Sequence, residues 1–241
     1  MYLMKQRLDV TLVQRGLVSS RSQAESYIKL GEVKVGGRVV TKPGFLVAET
    51  DEIQLTASEQ YVSRAGLKLA SVAKTLKLDF AGKMVLDVGS STGGFTDYAL
   101  QHGATKVIAV EIGTNQLHPS LQGHPQIELH EKTDIRDFRT EQKIDIVVAD
   151  VSFISLREIL PSIGRLSDKK TDIVAMVKPQ FEAGASNLKH KGVIKNDKLR
   201  REILRDFEAW AKDHFVIIDK ADSDVAGEKG NRERFYLLRK A

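Results

Sequence analysis

One stretch, MVLDVGSSTGGF at residues 84–95, limits the folds open to this chain more than any other. A short apolar run ends on an acid and passes at once into Gly-Ser-Ser-Thr-Gly-Gly, an order that predicts a buried parallel strand turning sharply into a helix. Gly89 permits a backbone conformation closed to other residues, and Gly93 and Gly94 let a ligand lie against the main chain near the helix N-terminus. A nucleotide-like ligand is therefore expected.

The residues that follow extend this start into a sheet. Phe95, Tyr98, Ala99 and Leu100 suit a helix packed on strands, with Gly103 closing it. KVIAV at 106–110 reads as the second strand, and further strands are expected at 127–130, 144–149, 173–177 and 235–238, with helices around 156–163 and 198–212. Polar groups stand at the strand ends. Asp134, Asp150 and Lys178 would converge on one crevice, because ligands of open α/β sheets bind outside the carboxyl ends of the strands. Glu111 ends the second strand 22 residues beyond Gly89, where an acid accepts the two hydroxyls of a bound ribose. Asp87 and Glu111 could be ordinary strand-end acids, but their joint spacing favours a ligand. The glycines run Gly-x-x-x-Gly-Gly, without the second glycine at which a dinucleotide's pyrophosphate approaches, and no Gly-Lys-Ser/Thr is present. A cofactor without phosphates fits better than NAD.

Composition narrows the class further. The 241 residues are enough for one sizeable core and a small extra domain, and the net charge of +5 permits nucleic acid without demonstrating it. With no cysteine, the chain has no disulfide, thiolate zinc site or cysteine nucleophile. Lys5, Arg7 and Asp9 interrupt any signal-peptide core, and no apolar run approaches the roughly 18 residues of a membrane helix. The expectation is a soluble, cytoplasmic monomer without a membrane partner. His190 is a weak ligand candidate, and no acid or histidine cluster has metal spacing, so no metal is expected.

The first sixty residues read as a compact ααβ module. Apolar residues at helical spacing form two short segments, with Gly16 and Gly31 at helix ends and Ser20 or Ser22 as an N-cap. An alternating strand, a Gly36-Gly37 turn and a second strand follow, and Ile53 and Leu55 offer a third. Residues 1–42 hold eight basic side chains against three acidic ones. The pattern Arg7-Leu8-Asp9, Leu12-Val13, Arg15-Gly16-Leu17, Ser20-Arg21, Ala24, Ile28, Gly31 and Val33-Lys34-Val35 resembles the S4 RNA-binding domain. In that family basic residues of the helices meet RNA phosphates, which implies such a role for Arg7, Arg15, Arg21, Lys29, Lys34 and Arg38.

Residues 60–64 lack periodicity and read as a linker, in which Tyr61 and Val62 either dock or face solvent. A helix starting near Ser63 carries an apolar stripe of Leu69, Val72, Ala73 and Leu76. Lys68 lies off that stripe, so periodicity makes it a solvated lysine.

Four stretches together carry a more specific likeness: YVSRAGLKL at 61–69, DVGSSTGGFT at 87–96, DVSFISL at 150–156 and VKPQFE at 177–182. They resemble the TlyA family, some of whose members carry the name haemolysin and whose characterised members methylate ribosomal RNA. The resemblance implies a Rossmann-like class I methyltransferase with a doubly wound, mostly parallel sheet, preceded by a small α+β S4 domain. It also implies an FtsJ-like activity that transfers the methyl group of S-adenosylmethionine to a ribose 2′-hydroxyl of ribosomal RNA, free or within subunits. The expected boundaries are 1–59 for the S4 domain, 60–64 for the linker and 65–241 for the methyltransferase domain.

In FtsJ-like enzymes a Lys-Asp-Lys-Glu tetrad carries the reaction, and residue-by-residue matching puts it on Lys68, Asp150, Lys178 and Glu233, with Glu228 the competing glutamate. The resemblance and the strand-end argument agree on Gly89, Ser90, Gly93 and Gly94 around the methionine moiety, Glu111 on the ribose and Asp134 near the adenine. Asp87, Ser91, Phe95 and Asp150 line the same site. The family commonly has aspartate at the position of Glu111 and glycine at that of Ala65. A basic run at 187–201, with Lys189 and Lys191, is either a solvated loop or an RNA guide beside Lys178. A non-catalytic RNA-binding or ribosome-assembly factor would not need Lys68, Asp150 and Lys178 together. A pore-former would need a leader or lytic apolar segment.

Overall fold

The computed structural model describes residues 5–18, 20–57, 60–183, 193–194, 196–227 and 230–241. The chain divides into two units, one ending at Arg64 and the other beginning at Ala65.

The first unit runs β1 (Gln6–Arg7), α1 (Leu8–Gln14), α2 (Arg21–Lys29), β2 (Val33–Val35), β3 (Arg38–Val39), β4 (Leu46–Val47) and β5 (Ile53–Leu55). Ser20 is the N-cap of α2, its hydroxyl accepting from the Gln23 amide, and Gly16 and Gly31 follow the two helices with φ of +68° and +79°. Strands β3, β2 and β5 form an antiparallel sheet in that order, with Gly36 and Gly37 both at positive φ in the hairpin turn. The additional β1–β4 pair is antiparallel and only two residues long, too short to produce a readable alternation. Leu8, Leu12, Ala24, Tyr27, Ile28 and Val33 form the core. Tyr61 is buried within this unit, its carbonyl accepting from Gln23 Nε2 at 2.5 Å, so this part of the expected linker packs on α2.

The second unit contains α3 (Arg64–Ala73), β6 (Met84–Val88), α4 (Gly94–Gln101), β7 (Lys106–Val110), β8 (Ile127–His130), β9 (Ile146–Ala149), α5 (Leu156–Leu166), β10 (Asp172–Val177), α6 (Pro179–Glu182), α7 (Asp197–Lys212), β11 (Phe215–Asp222) and β12 (Arg234–Lys240). The sheet order is β11-β12-β10-β9-β6-β7-β8; β10, β9, β6, β7 and β8 are parallel, and β12 runs antiparallel to both its neighbours, β10 and β11. The central strands are apolar along nearly their whole length because helices cover both faces of such a sheet, and the core joins Leu86, Ile108, Val147, Ala175 and Tyr236 to Ile159, Leu160 and Phe207 of α5 and α7.

Three features differ from the expectations. Strand β9 begins at Ile146 rather than at 144, while Ile144 is buried ahead of it. Edge strand β11 was not foreseen; exposed Val216, Ile218 and Lys220 obscure any one-sided alternation. Lys68 is buried, because Gly66, Leu67, Lys68, Leu69, Val72 and Ala73 of α3 are all covered, and a helix enclosed on most of its circumference has no single apolar stripe.

Candidate active site

Strands β6 and β9 are neighbours in the sheet but not in sequence, so the topological switch point lies between their carboxyl ends. There Gly89 adopts φ +78°, and a Cβ on it would lie 2.7 Å from the carbonyl oxygen of Asp150. Glycine is thus required for the two strand ends to close together. Gly93 is the N-cap of α4 at φ +85°, and the space beside its Cα is occupied by the Leu117 and Leu121 side chains.

Two adjoining cavities open at this point. The smaller, about 140 Å³, is lined by Ala65, Asp87, Gly89, Ser90, Ser91, Phe95, Asp150, Ser152 and Lys178. The larger, about 510 Å³, shares Gly89, Ser91, Asp150 and Ser152 and adds Glu111, Ile112, Gly113, Gln116, Thr133, Asp134, Arg136 and Phe153.

Asp87 is fully buried at the end of β6. The Thr96 hydroxyl of α4 donates to its Oδ2 at 2.6 Å, while Oδ1, like the Ser90 hydroxyl oxygen, has no hydrogen-bond partner in the protein. Burial, reinforced by the negative potential of Asp150 and Glu111, pushes the Asp87 carboxyl up to about 7 despite the Thr96 bond. Between about pH 4 and pH 7 the folded chain therefore holds a proton that the unfolded chain has released, so stability of the ligand-free protein falls as pH rises through that window. Asp87→Asn is expected to stabilise the ligand-free protein at pH 8, on the order of 2 to 4 kcal/mol, and to have little effect near pH 4. Thermal melts across that range check it; an effect independent of pH would contradict the assignment.

Glu111 joins the two walls. Its Oε2 accepts from the Ser91 amide at 2.9 Å, and its Oε1 from the Gly113 amide at 2.7 Å. Asp134, after β8, receives Arg136 Nε on Oδ1 at 3.0 Å and the terminal guanidinium nitrogen Nη2 on Oδ2 at 2.6 Å; these hydrogen bonds hold its carboxyl below the usual range.

Lys68, Asp150, Lys178 and Glu233 form two close ion pairs. Lys178 Nζ lies 2.6 Å from Asp150 Oδ1 and donates to Ser152 Oγ at 2.7 Å. Lys68 Nζ lies 2.5 Å from Glu233 Oε2, with both side chains almost fully buried. Glu233 immediately precedes β12, whose antiparallel register puts Arg234 opposite Val177, so the start of this strand reaches the carboxyl edge beside Lys178. Asp150 and Lys178 line the smaller cavity, whereas Lys68 and Glu233 pair apart from its lining. Glu228 lies outside the described residues. Sequence reasoning missed Ser152, Thr96, Ile112, Gln116, Arg136 and Phe153. Thr96, Ser152 and Phe153 fall inside the stretches that carried the family likeness; the others follow acids that end β7 and β8.

In the first unit Asp9 is fully buried and accepts from Arg7 and Arg21, at 2.9 and 2.7 Å. Burial raises its carboxyl, but these hydrogen bonds outweigh it and hold the group below its usual range. Arg15 donates to the carbonyls of Asp51 and Glu49. Lys29 and Arg38 are exposed and Lys34 is half-buried. Lys189, Lys191 and His190 lie outside the described residues.

The family model for FtsJ-like methyltransferases matches residues 61–240, and that for the S4 domain matches residues 6–53. The 16S/23S rRNA (cytidine-2′-O)-methyltransferase TlyA of Mycobacterium tuberculosis is 37% identical, over 97% of this chain and 89% of its own length. The chain belongs to the TlyA family of FtsJ-like methyltransferases. The 23S rRNA (cytidine-2′-O)-methyltransferase TlyA of Campylobacter jejuni is 44% identical over 78% of this chain and 74% of its own. A solved structure of a protein named as a haemolysin, from Streptococcus thermophilus, superposes with a TM-score of 0.73 at 35% identity, covering 99% of this chain and 90% of that one.

This methyltransferase uses S-adenosylmethionine, and the residues present fit it. Asp87 Oδ1 and Ser90 Oγ are buried acceptors without a protein partner, and the surrounding acids Asp87, Glu111, Asp134 and Asp150 suit a cationic, phosphate-free ligand. Among the described residues, no helix is long and apolar enough to cross a membrane.

Proposed function

We propose that this enzyme methylates a ribose 2′-hydroxyl of ribosomal RNA, the S4 domain docking the RNA and Lys178 acting on the hydroxyl. The observation that carries this reading is the Lys178 side-chain nitrogen, 2.6 Å from Asp150 and 2.7 Å from Ser152 in the wall of the cavity that also holds Asp87 and Ser90. The names of the two TlyA relatives, each a cytidine-2′-O-methyltransferase of ribosomal RNA, support the same acceptor.

Asp87 and Ser90, with Gly89, Ser91 and Phe95, hold the methionine end of the cofactor; Glu111 serves the ribose and Asp134 the adenine. When bound, S-adenosylmethionine supplies a sulfonium methyl to the acceptor oxygen. A 2′-hydroxyl is a poor nucleophile, so Lys178 takes or weakens its proton, and Asp150 aims the amine. Lys68 and Glu233 hold the neighbouring strand end as a neutral pair. Phe153 supports a nucleic-acid acceptor: it is 92% exposed with φ +67°, and its ring meets that of Phe181 at 5.4 Å, a surface on which a base can stack. Because Asp87 must be ionised to meet a cation, cofactor affinity is expected to rise with pH up to about 7.

Incubation with radiolabelled S-adenosylmethionine and ribosomal subunits or free ribosomal RNA tests the reading. Label confined to the RNA and recovered as a 2′-O-methyl nucleoside is expected; no label in any RNA would sink it. For the S4 domain, Lys29 is the clean probe, since among the described residues its one close charged neighbour is Glu25 at 3.7 Å. Lys29→Ala is expected to weaken RNA binding several-fold for any sequence and to reduce the slope of log affinity against log salt by about one. An unchanged salt slope in a binding titration would remove Lys29 from the phosphate contacts.

A further inference from the structure

Two loops form the wall that carries the catalytic pair: residues 150–155 after β9, and residues 178–182 after β10. Three sets of contacts bridge them. Lys178 Nζ meets Asp150 and Ser152, and the ring of Phe181 meets that of Phe153. The third is Glu182, whose Oε2 accepts from the Ser155 hydroxyl at 2.6 Å and whose Oε1 accepts from the Leu156 amide at 2.7 Å. Its side chain is 1% exposed, and among the described residues its one close cation is Arg157, with Nε at 3.6 Å.

Burying a carboxylate this fully is costly unless it is well bonded, and burial holds this one above its usual range. Capping α5 is not a sufficient reason for it, because Ser155 already accepts from the Arg157 amide as the N-cap. What Glu182 adds is a tie between loops. Between the Ser152–Lys178 contact and the Ser155–Glu182 contact sits Phe153, in a left-handed conformation that costs such a residue about 1 to 3 kcal/mol and persists only where its surroundings hold it. Glu182 lies one helical turn past Lys178, and the short helix between them is closed by the Phe181 amide donating to the Lys178 carbonyl.

We propose that Glu182 is a positioning residue for methyl transfer, clamping the Asp150 loop to the Lys178 loop so that the lysine amine stays on Asp150 and Ser152. The proposal rests on the reading of Lys178 as the group at the acceptor hydroxyl. It predicts that loss of the clamp slows the chemical step while leaving in place the proposed cofactor groups Asp87, Ser90, Glu111 and Asp134, which lie at or after the ends of β6, β7 and β8.

The test uses the full-length protein as wild type, Glu182→Ala and Glu182→Gln, with Asp206→Ala, which removes Arg157's exposed partner, as control. All are compared at a temperature where melts show them folded. Glu182→Ala is expected to slow single-turnover methylation of RNA about 30- to 100-fold, the scale of an ångström-level misplacement, with cofactor affinity within about threefold. The Lys178 amine, 9% exposed in the folded chain, is expected to react several-fold faster with an amine-acylating reagent, read by peptide mass spectrometry. Glu182→Gln keeps an acceptor for the Leu156 amide and is expected to recover both readouts to within about threefold of wild type. Transfer by Glu182→Ala within about twofold of wild type, unchanged Lys178 labelling, or a glutamine variant as slow as alanine would each overturn the proposal. Should Glu182→Ala not fold, Ser155→Ala removes one of the tie's two hydrogen bonds from the other loop and is expected to move both readouts the same way, with unchanged transfer and labelling overturning the proposal. Should the wild type methylate no RNA, the functional reading fails while Lys178 labelling still decides whether the clamp exists.

Discussion

Lys178→Ala is expected to slow methyl transfer by about 10³-fold or more, because it removes both the proton acceptor, worth about 10²- to 10⁴-fold, and a group that positions the hydroxyl. S-adenosylmethionine affinity is expected to stay within about threefold, since the proposed cofactor acceptors Asp87, Ser90 and Glu111 belong to β6, β7 and the loops after them. Single-turnover assays with labelled cofactor and calorimetric titration separate the two effects. Lys178→Arg sharpens the result: arginine keeps the positive charge but does not give up its proton, so activity as low as alanine's assigns proton removal to Lys178, whereas substantial recovery assigns it an electrostatic role. A Lys178→Ala enzyme within about tenfold of wild type would exclude it from the chemical step.

The second large effect concerns stability as well as rate. Lys68→Ala strands Glu233, whose side chain is 3% exposed, and loss of one partner of a buried ion pair costs about 3 to 5 kcal/mol. In a protein of this size that corresponds to a fall in melting temperature of about 10 °C. Replacing both partners with apolar residues, Lys68→Met with Glu233→Leu, is expected to restore most of the stability, because both the charge and its desolvation cost disappear. Activity is not expected to return with it. If the double variant recovers both stability and transfer, the pair is structural alone; if it recovers neither, the pair is embedded in contacts that an apolar substitute cannot replace. Calorimetric melts and the labelled-methyl assay on the same preparations decide this.

Much of the architecture was legible from the chain. The apolar run before Gly89, the alternation of strands with helical spacing and the placement of Glu111 and Asp150 predict a parallel sheet with a crevice at its carboxyl edge, and the structure has its switch point between β6 and β9. Ser20, Gly16 and Gly31 marked helix ends correctly because capping is decided within a few residues. The glycine spacing argued against a pyrophosphate, and the methyltransferase cofactor S-adenosylmethionine has none.

Other features depended on partners remote in sequence. Periodicity placed Lys68 in solvent because it measures one helix at a time, whereas Lys68 meets Glu233 from the start of the antiparallel strand β12. Glu182 read as one more residue of a family stretch, and its burial against Ser155 and Leu156 follows from the adjacency of β9 and β10. The protonation of Asp87 near neutrality follows from the complete enclosure of its carboxyl. The sequence by itself determined the strand-turn-helix, the glycine that its turn demands and the chemical types of the site, because those are set by local sterics and hydropathy. Only the tertiary structure decided which charges pair, which are stripped of water and which loops are tied together, because Coulombic and desolvation terms depend on distance and burial, and sheet order sets both.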